Sequence, residues 1–197
     1  MSQSEQVLLI RHGQTEWAAA GRHTGRTDVP LTAVGEQQAK ALRPLLAELL
    51  GDTTASIVLS SPMERARRTA ELAGLSVTGV DPDLAEMDYG AYEGMTTPEI
   101  SRTVPGFTVW THPLPGGETP AQVGERADAV LSRVGAAGGT AVLVAHGHLL
   151  RVLGARWVGL DPTGGGLLAL GTAAVCVLGR EHGRPVLRHW NLQATNG

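Results

Sequence analysis

Short continuous apolar runs alternate along the chain with longer stretches whose apolar positions recur every three or four residues. Residues 7–10, 57–59, 77–80 and 140–145 are of the first kind and read as buried strands. Residues 32–50 are of the second, with Ala39, Leu42, Leu46 and Leu49 on one helical face. Pro44 lies inside that stretch and predicts a kink or a division. Ser61, Pro62 and Glu64 predict a side-chain cap, a first-turn proline and a capping-box acid for a helix that Gly74 ends. Thr119, Pro120 and Gln122 repeat the signal ahead of Val123, Ala127, Val130, Leu131 and Val134. A further helix is expected from Leu149 to about Val158. Two late β runs, 172–178 and 185–190, flank a hairpin turn at 180–184. This alternation predicts an α/β domain.

Residues 82–118 break the rhythm with Gly90, Gly94, Pro105, Pro113, Pro115, Gly116 and Gly117. They read as an insertion with one short helix opened by Thr97 and Pro98, and long loops of this kind are usually functional or disordered. No repeat or low-complexity linker divides the chain, so residues 1–197 are expected to form one domain carrying that insertion.

Composition narrows the function. A chain of 197 residues buries roughly 70% of its unfolded surface and needs no staple to build a core. A net charge of −3 argues against a broadly basic nucleic-acid binder. Four Trp, two Tyr and one Phe make a poor platform for stacking bases. The single cysteine, Cys176, excludes an intrachain disulfide framework and a cysteine-rich zinc site. No apolar run approaches the roughly 20 residues of a membrane span. The segment 1–6 lacks the basic and apolar regions of a signal peptide, so a soluble, cytoplasmic protein is expected, with its oligomeric state open and a homodimer included. Among the sixteen Lys and Arg only Lys40 is a lysine, a bias that a GC-rich genome explains.

Two strands share an ending. Residues 7–10 lead into Arg11-His12-Gly13, and 141–145 into His146-Gly147-His148. Ligands of open α/β sheets bind at the carboxyl ends of strands, and a glycine after the histidine lets backbone approach a ligand. A third strand, 57–59, opens the helix holding Arg65, Arg67 and Arg68, with Arg65 in the positive first turn. If these ends are neighbours, two histidines, two arginines and a helix N-terminus converge. Such a set suits an oxyanion, above all phosphate. A neutral histidine can attack phosphorus, and nearby arginines keep it neutral by lowering its pKa. From the residues alone, structural histidines remain an equal alternative, and a His146–His148 metal pair lacks an evident third ligand.

The run from Leu9 to Trp17, with Arg11-His12-Gly13 at its centre, resembles the histidine phosphatase superfamily, the clan of cofactor-dependent phosphoglycerate mutase. The segments 21–28, 60–66 with Thr69 and Ala70, 84–94, 116–118 and 144–148 match its further motifs in order. The resemblance implies a three-layer α/β/α sandwich with a mixed, mostly parallel sheet and an antiparallel element near the C-terminus. It implies that His12 is phosphorylated, that Arg11 and Arg65 hold the phosphoryl group, and that His146 donates to its oxygens. It further implies that Glu86 protonates the leaving oxygen, that Thr24 and Gly25 contact substrate, and that the Gly147 amide adds a donor. No metal and no cofactor is implied. His23, Tyr89, Trp110 and His112 are candidates for the pocket wall. Arg67 and Arg68 read as a solvated helix face, and His182 and His189 match no motif. Two departures bear on the reaction. Ala18 stands where many relatives have Asn, and the stretch 109–113 lacks the arginine pair with which mutases grip a carboxylate. The Ala18 departure implies one phosphate contact fewer, whereas the missing arginine pair, with a chain shorter than typical mutases, favours a metal-independent phosphatase acting on small phosphorylated metabolites, similar to small acid phosphatases and sedoheptulose-bisphosphatase-like enzymes. A phosphoglycerate mutase is the alternative, and a non-catalytic phosphate-ester binder the remote one.

Overall fold

The computed structural model describes residues 6–194. The opening segment inspected for a leader lies, Gln6 apart, outside the described residues. The chain runs through β1 (Gln6–Arg11), α1 (Glu16–Ala19), α2 (Ala33–Leu50), β2 (Ile57–Ser60), α3 (Glu64–Leu72) and β3 (Gly79–Val80). It continues through α4 (Thr97–Ser101), α5 (Pro120–Ala137), β4 (Thr140–Ala145), α6 (Gly147–Trp157), β5 (Val175–Glu181) and β6 (Arg184–Leu192). The strands form one sheet in the order β3-β2-β4-β1-β5-β6. Pairings among the first four are parallel, and β5 joins β1 and β6 antiparallel. The expected mixed, mostly parallel sheet is therefore present.

Strand alternation makes the three layers. Val7 and Leu9 of β1, with Ala141, Leu143 and Ala145 of β4, pack beneath α5, α6 and the insertion. Leu8 and Ile10, with Val142 and Val144, pack beneath Leu42 and Leu46 of α2 and Ala66 and Ala70 of α3. The small alanines let α3 lie close to the sheet, which brings its first turn to the strand ends. Residues 82–118 are an ordered wall: Leu84, Met87, Tyr89, Ile100, Phe107, Val109 and Leu114 are all buried in the first core.

Several boundaries differ from expectation, each for a physical reason. The strand expected at 77–80 shrinks to Gly79–Val80 at the sheet edge, where Val77 and Val80 are exposed. Pro44 does not divide α2. It and Lys40, whose carbonyl loses its usual helical donor to the proline, both lie on the exposed face, open to solvent. The hairpin turn contracts to His182 and Gly183, both with positive φ (49° and 78°), the twist-compatible two-residue turn between antiparallel strands.

Candidate active site

The register of β1 on β4 sets Arg11 beside Ala145. His12 therefore donates its backbone N–H to Ala145 O at 3.0 Å, and Ser61 donates to Val144 O at 2.9 Å. The ends of β1, β2 and β4 meet, and the rings of His12 and His146 lie 5.2 Å apart. His12 Nδ1 is 2.7 Å from the Gly13 carbonyl oxygen. A carbonyl only accepts, so Nδ1 carries the proton and Nε2 keeps its lone pair. Burial first, then Arg11 and Arg65, hold the His12 pKa well below the ordinary histidine value. Gly13 is itself pinned, its N–H donating to Thr69 Oγ1 at 3.0 Å.

The two arginines reach the site in opposite states. Arg11 Nη1 donates to Leu170 O at 2.6 Å, while its Nε is buried without a partner. Desolvation lowers its pKa, against the pull of Glu86. Arg65 is wholly buried and committed to the protein. Nε donates to His146 Nδ1 at 3.2 Å, Nη1 to Thr27 O at 2.8 Å, and Nη2 to Thr24 O and Gly25 O at 3.3 and 3.0 Å. Desolvation also lowers its pKa, opposed by Glu86 and then Asp28. The anion site expected at the start of α3 is already filled, because Asp28 Oδ2 accepts the Glu64 N–H at 2.7 Å.

Ser61 does not cap α3 as expected. The N-cap residue is Met63, and Ser61 Oγ lies 2.7 Å from His146 Nε2. Since Arg65 donates to His146 Nδ1, neutral His146 has its proton on Nε2 and gives it to Ser61. Burial first, then His12 and Arg65, push the His146 pKa well down. Helix α6 begins at Gly147, two residues before the expected Leu149. The earlier start turns its first amides onto Glu86. Oε2 accepts from His148 N at 3.0 Å, and Oε1 from Leu149 N and Met87 N, both at 2.9 Å. The carboxyl is thus fixed at a helix N-terminus.

These groups surround a cavity of about 180 Å³ lined by Arg11, His12, Ala18, Gly21, Arg22, His23, Thr24, Glu86, Tyr89, Gly147, His148, Arg151 and Leu170. Burial lowers the pKa of His23, opposed by Glu86. Arg65, His146 and Gly25 stand behind the wall. The Gly25 N–H is held by both oxygens of Glu93 at 3.0 Å. Among the described residues, no group of three or more His, Cys, Asp or Glu could hold a metal ion, and no helix is long and apolar enough to cross a membrane.

The model of the histidine phosphatase superfamily (branch 1) matches residues 7–193. The chain belongs to the histidine phosphatase superfamily. It is 45% identical over 182 residues to an acid phosphatase of Mycobacterium tuberculosis, covering 91% of this chain and 89% of that one. It is 35% identical over 190 residues to sedoheptulose 1,7-bisphosphatase of Saccharomyces cerevisiae, covering 81% and 69%. The solved structure of an open reading frame product from Mycobacterium tuberculosis superposes with a TM-score of 0.92 at 42% identity, covering 97% of this chain and 99% of that one. The expectations of a phosphatase-type enzyme and of its fold are borne out.

Within this histidine phosphatase, the two glycines that follow the site histidines are also required by packing. A Cβ on Gly13 would collide with the Gly35 carbonyl, and one on Gly147 would lie 3.3 Å from Arg11 Cζ and Nε. Sequence reasoning gave no role to Arg22, His148 and Arg151 of the cavity wall. His148 and Arg151 were legible in principle, since they sit three apart on the helix that follows His146. Tyr89 Oη lies 2.6 Å from His148 Nδ1. Burial keeps the Tyr89 hydroxyl protonated by raising its pKa well above the ordinary value, so a neutral phenol meets the imidazole. Burial, then Arg151, lowers the His148 pKa well below the usual range. Trp110 stays off the cavity, stacked on the Arg151 guanidinium at 4.6 Å and beside His148 at 5.2 Å. His112 lies farther out, with Nδ1 accepting from Thr108 N.

Proposed function

We propose that this chain hydrolyses phosphomonoesters of small metabolites through a phosphohistidine on His12, without a metal. The observation that carries the reading is the state of His12: its proton is parked on Nδ1 by Gly13 O, and its pKa is held well down. Its other nitrogen is free to attack, beside the unpartnered Arg11 Nε–H.

In the first step Nε2 bonds to phosphorus and the ester P–O bond breaks. The leaving oxygen takes a proton from Glu86, whose oxygens are held in place by three amides. Arg11 meets the phosphoryl oxygens directly. Arg65 and His146 are pre-positioned behind it and reach those oxygens by releasing Thr24 O, Gly25 O or Ser61. Water then attacks phosphorus, Glu86 takes its proton, and the P–N bond breaks to free phosphate and His12. A small cavity with Arg22, His23, Thr24 and Arg151 on its rim suits a compact, polar, anionic substrate. The names of the acid phosphatase and bisphosphatase relatives support hydrolysis. The mutase alternative calls for a guanidinium pair on residues 109–113, and there Val109 is buried in the core while Trp110 covers Arg151.

Brief mixing with labelled substrate, followed by a base quench, tests the reading. An acid-labile, base-stable phosphoenzyme is expected on His12, with turnover inhibited by vanadate and indifferent to EDTA. Activity lost to EDTA and restored by metal would overturn the metal-free mechanism. Interconversion of phosphoglycerates faster than phosphate release, with bisphosphoglycerate as primer, would favour the mutase.

A further inference from the structure

We propose that Asn191, at the far end of the sheet, is the positioning residue for Arg11. The inference rests on the reading of Arg11 as the phosphoryl-holding group.

Between the pairs Val175↔Leu192 and Val177↔His189, β5 carries one residue while β6 carries two, Trp190 and Asn191. This is a β-bulge, which re-aims side chains. Asn191 is in the left-handed region at φ 61°, and its N–H, deprived of a ladder partner, donates to Cys176 Sγ at 3.3 Å. The bulge turns both side chains onto the segment behind Arg11. Trp190 Nε1 donates to Ala169 O at 2.6 Å, and Asn191 Oδ1 accepts from Gly171 N at 2.8 Å.

The Gly171 N–H and the Leu170 C=O belong to one peptide group. That group is planar, with its N–H and C=O pointing in opposite directions. One end bonds Asn191; the other accepts from Arg11 Nη1 at 2.6 Å. The carboxamide and the guanidinium thus grip two ends of a single rigid unit, and each bond polarises the other. Leu170 O is the hydrogen-bond acceptor that the Arg11 guanidinium finds among the described residues, since its Nε has none. The same segment holds the backbone of both site residues, through Ala173 N to His12 O at 3.0 Å and Arg11 N to Ala174 O at 3.1 Å. Position 191 therefore needs a residue that tolerates positive φ and also accepts a hydrogen bond. Asn and Asp meet both needs, and Gly meets only the first.

Asn191→Gly keeps the backbone conformation and removes the acceptor. Expected is a rise of about tenfold in the inhibition constant for inorganic phosphate, the worth of one net hydrogen bond, with a parallel fall in kcat/KM. Asn191→Asp should restore both. In an Arg11→Lys background, Asn191→Gly should add nothing, because the two act through one chain of bonds. Measurements are made well below the melting temperature, which is recorded for each variant. An unchanged phosphate constant in Asn191→Gly, whatever its melting temperature, overturns the proposal. So does an Asp variant as impaired as the Gly one, or full additivity with Arg11→Lys. A wild-type enzyme that phosphate does not inhibit would sink the reading of Arg11 itself, and the inference with it.

Discussion

The ends of β1 and β4 look alike in sequence, each a buried strand running into His-Gly, yet the fold uses them oppositely. At the end of β1, His12 spends one nitrogen on its own chain and leaves the other for the cavity. At the end of β4, His146 spends both, one on Arg65 and one on Ser61, and is wholly buried. The glycines differ in the same way. Gly13 is wedged against backbone and Gly147 against a site guanidinium. One histidine keeps a nitrogen without a partner; the other must give up a bond before it can meet a ligand.

The contrast breaks most sharply on substitution of the histidines. His12→Ala should lower kcat by about 10⁴-fold or more, as expected for loss of a nucleophile. His146→Gln should cost about 10²-fold, the usual worth of one charge-stabilising donor. Base-quenched phosphoenzyme should persist in the second variant and be absent from the first. A phosphoenzyme in His12→Ala would reverse the assignment.

Glu86→Gln comes next. The loss for alkyl phosphates should be about 10²- to 10⁴-fold in single-turnover phosphoenzyme formation. It should be far smaller for p-nitrophenyl phosphate, whose leaving group hardly needs a proton. The amide nitrogen of Gln would also face the His148 N–H, so the melting temperature must be followed. Equal losses for both substrates would end the proton-donor role.

The glycines sharpen the comparison. Gly13→Ala should destabilise the fold by about 1–3 kcal/mol through overpacking, read by urea denaturation. Gly147→Ala should leave stability nearly unchanged but shift Arg11 and weaken phosphate inhibition. The reverse pattern would mean that the two strand ends have been assigned the wrong way round.

Acidification probes both ends together. His12, His146 and His148 all have pKa values well below the ordinary one, so they stay neutral when folded and take up protons first when unfolded. Stability is then fully present above about pH 6.5 and falls as pH drops toward the folded values, by up to about 1.4 kcal/mol per pH unit for each histidine. His146→Gln should flatten the slope of unfolding free energy against pH by one such share. An unchanged slope would show that His146 is not held neutral.

Much of this was legible in the sequence because it is local. Apolar period and cap chemistry located the main helices and central strands, and Thr119 and Gln122 form the expected capping box. The motif residues His12, Arg11, Glu86 and Thr24 do reach the cavity wall. What escaped depends on partners brought from afar. Ser61 fits an N-cap pattern, but the β2–β4 register offers it a histidine instead, and Asp28 takes over the cap. Arg65 reads as an open anion ligand, yet the carbonyls of Thr24, Gly25 and Thr27 already surround it. Hydrogen-bond allocation at crossing strands has no signature in residue spacing.

The strand order also sets a timetable. β1, which leads into Arg11 and His12, has as its sheet neighbours β4 and β5, both encoded in the last third of the chain. During synthesis the first half can pair only β2 with β3, over two residue pairs. Arg11 and His12 emerge early and wait unpartnered until residues 140–145 and 175–178 have left the ribosome. Such long-range pairing folds slowly and leaves apolar strands exposed in the meantime. The two strand ends therefore gain their full set of sheet partners only once the C-terminal hairpin has been made.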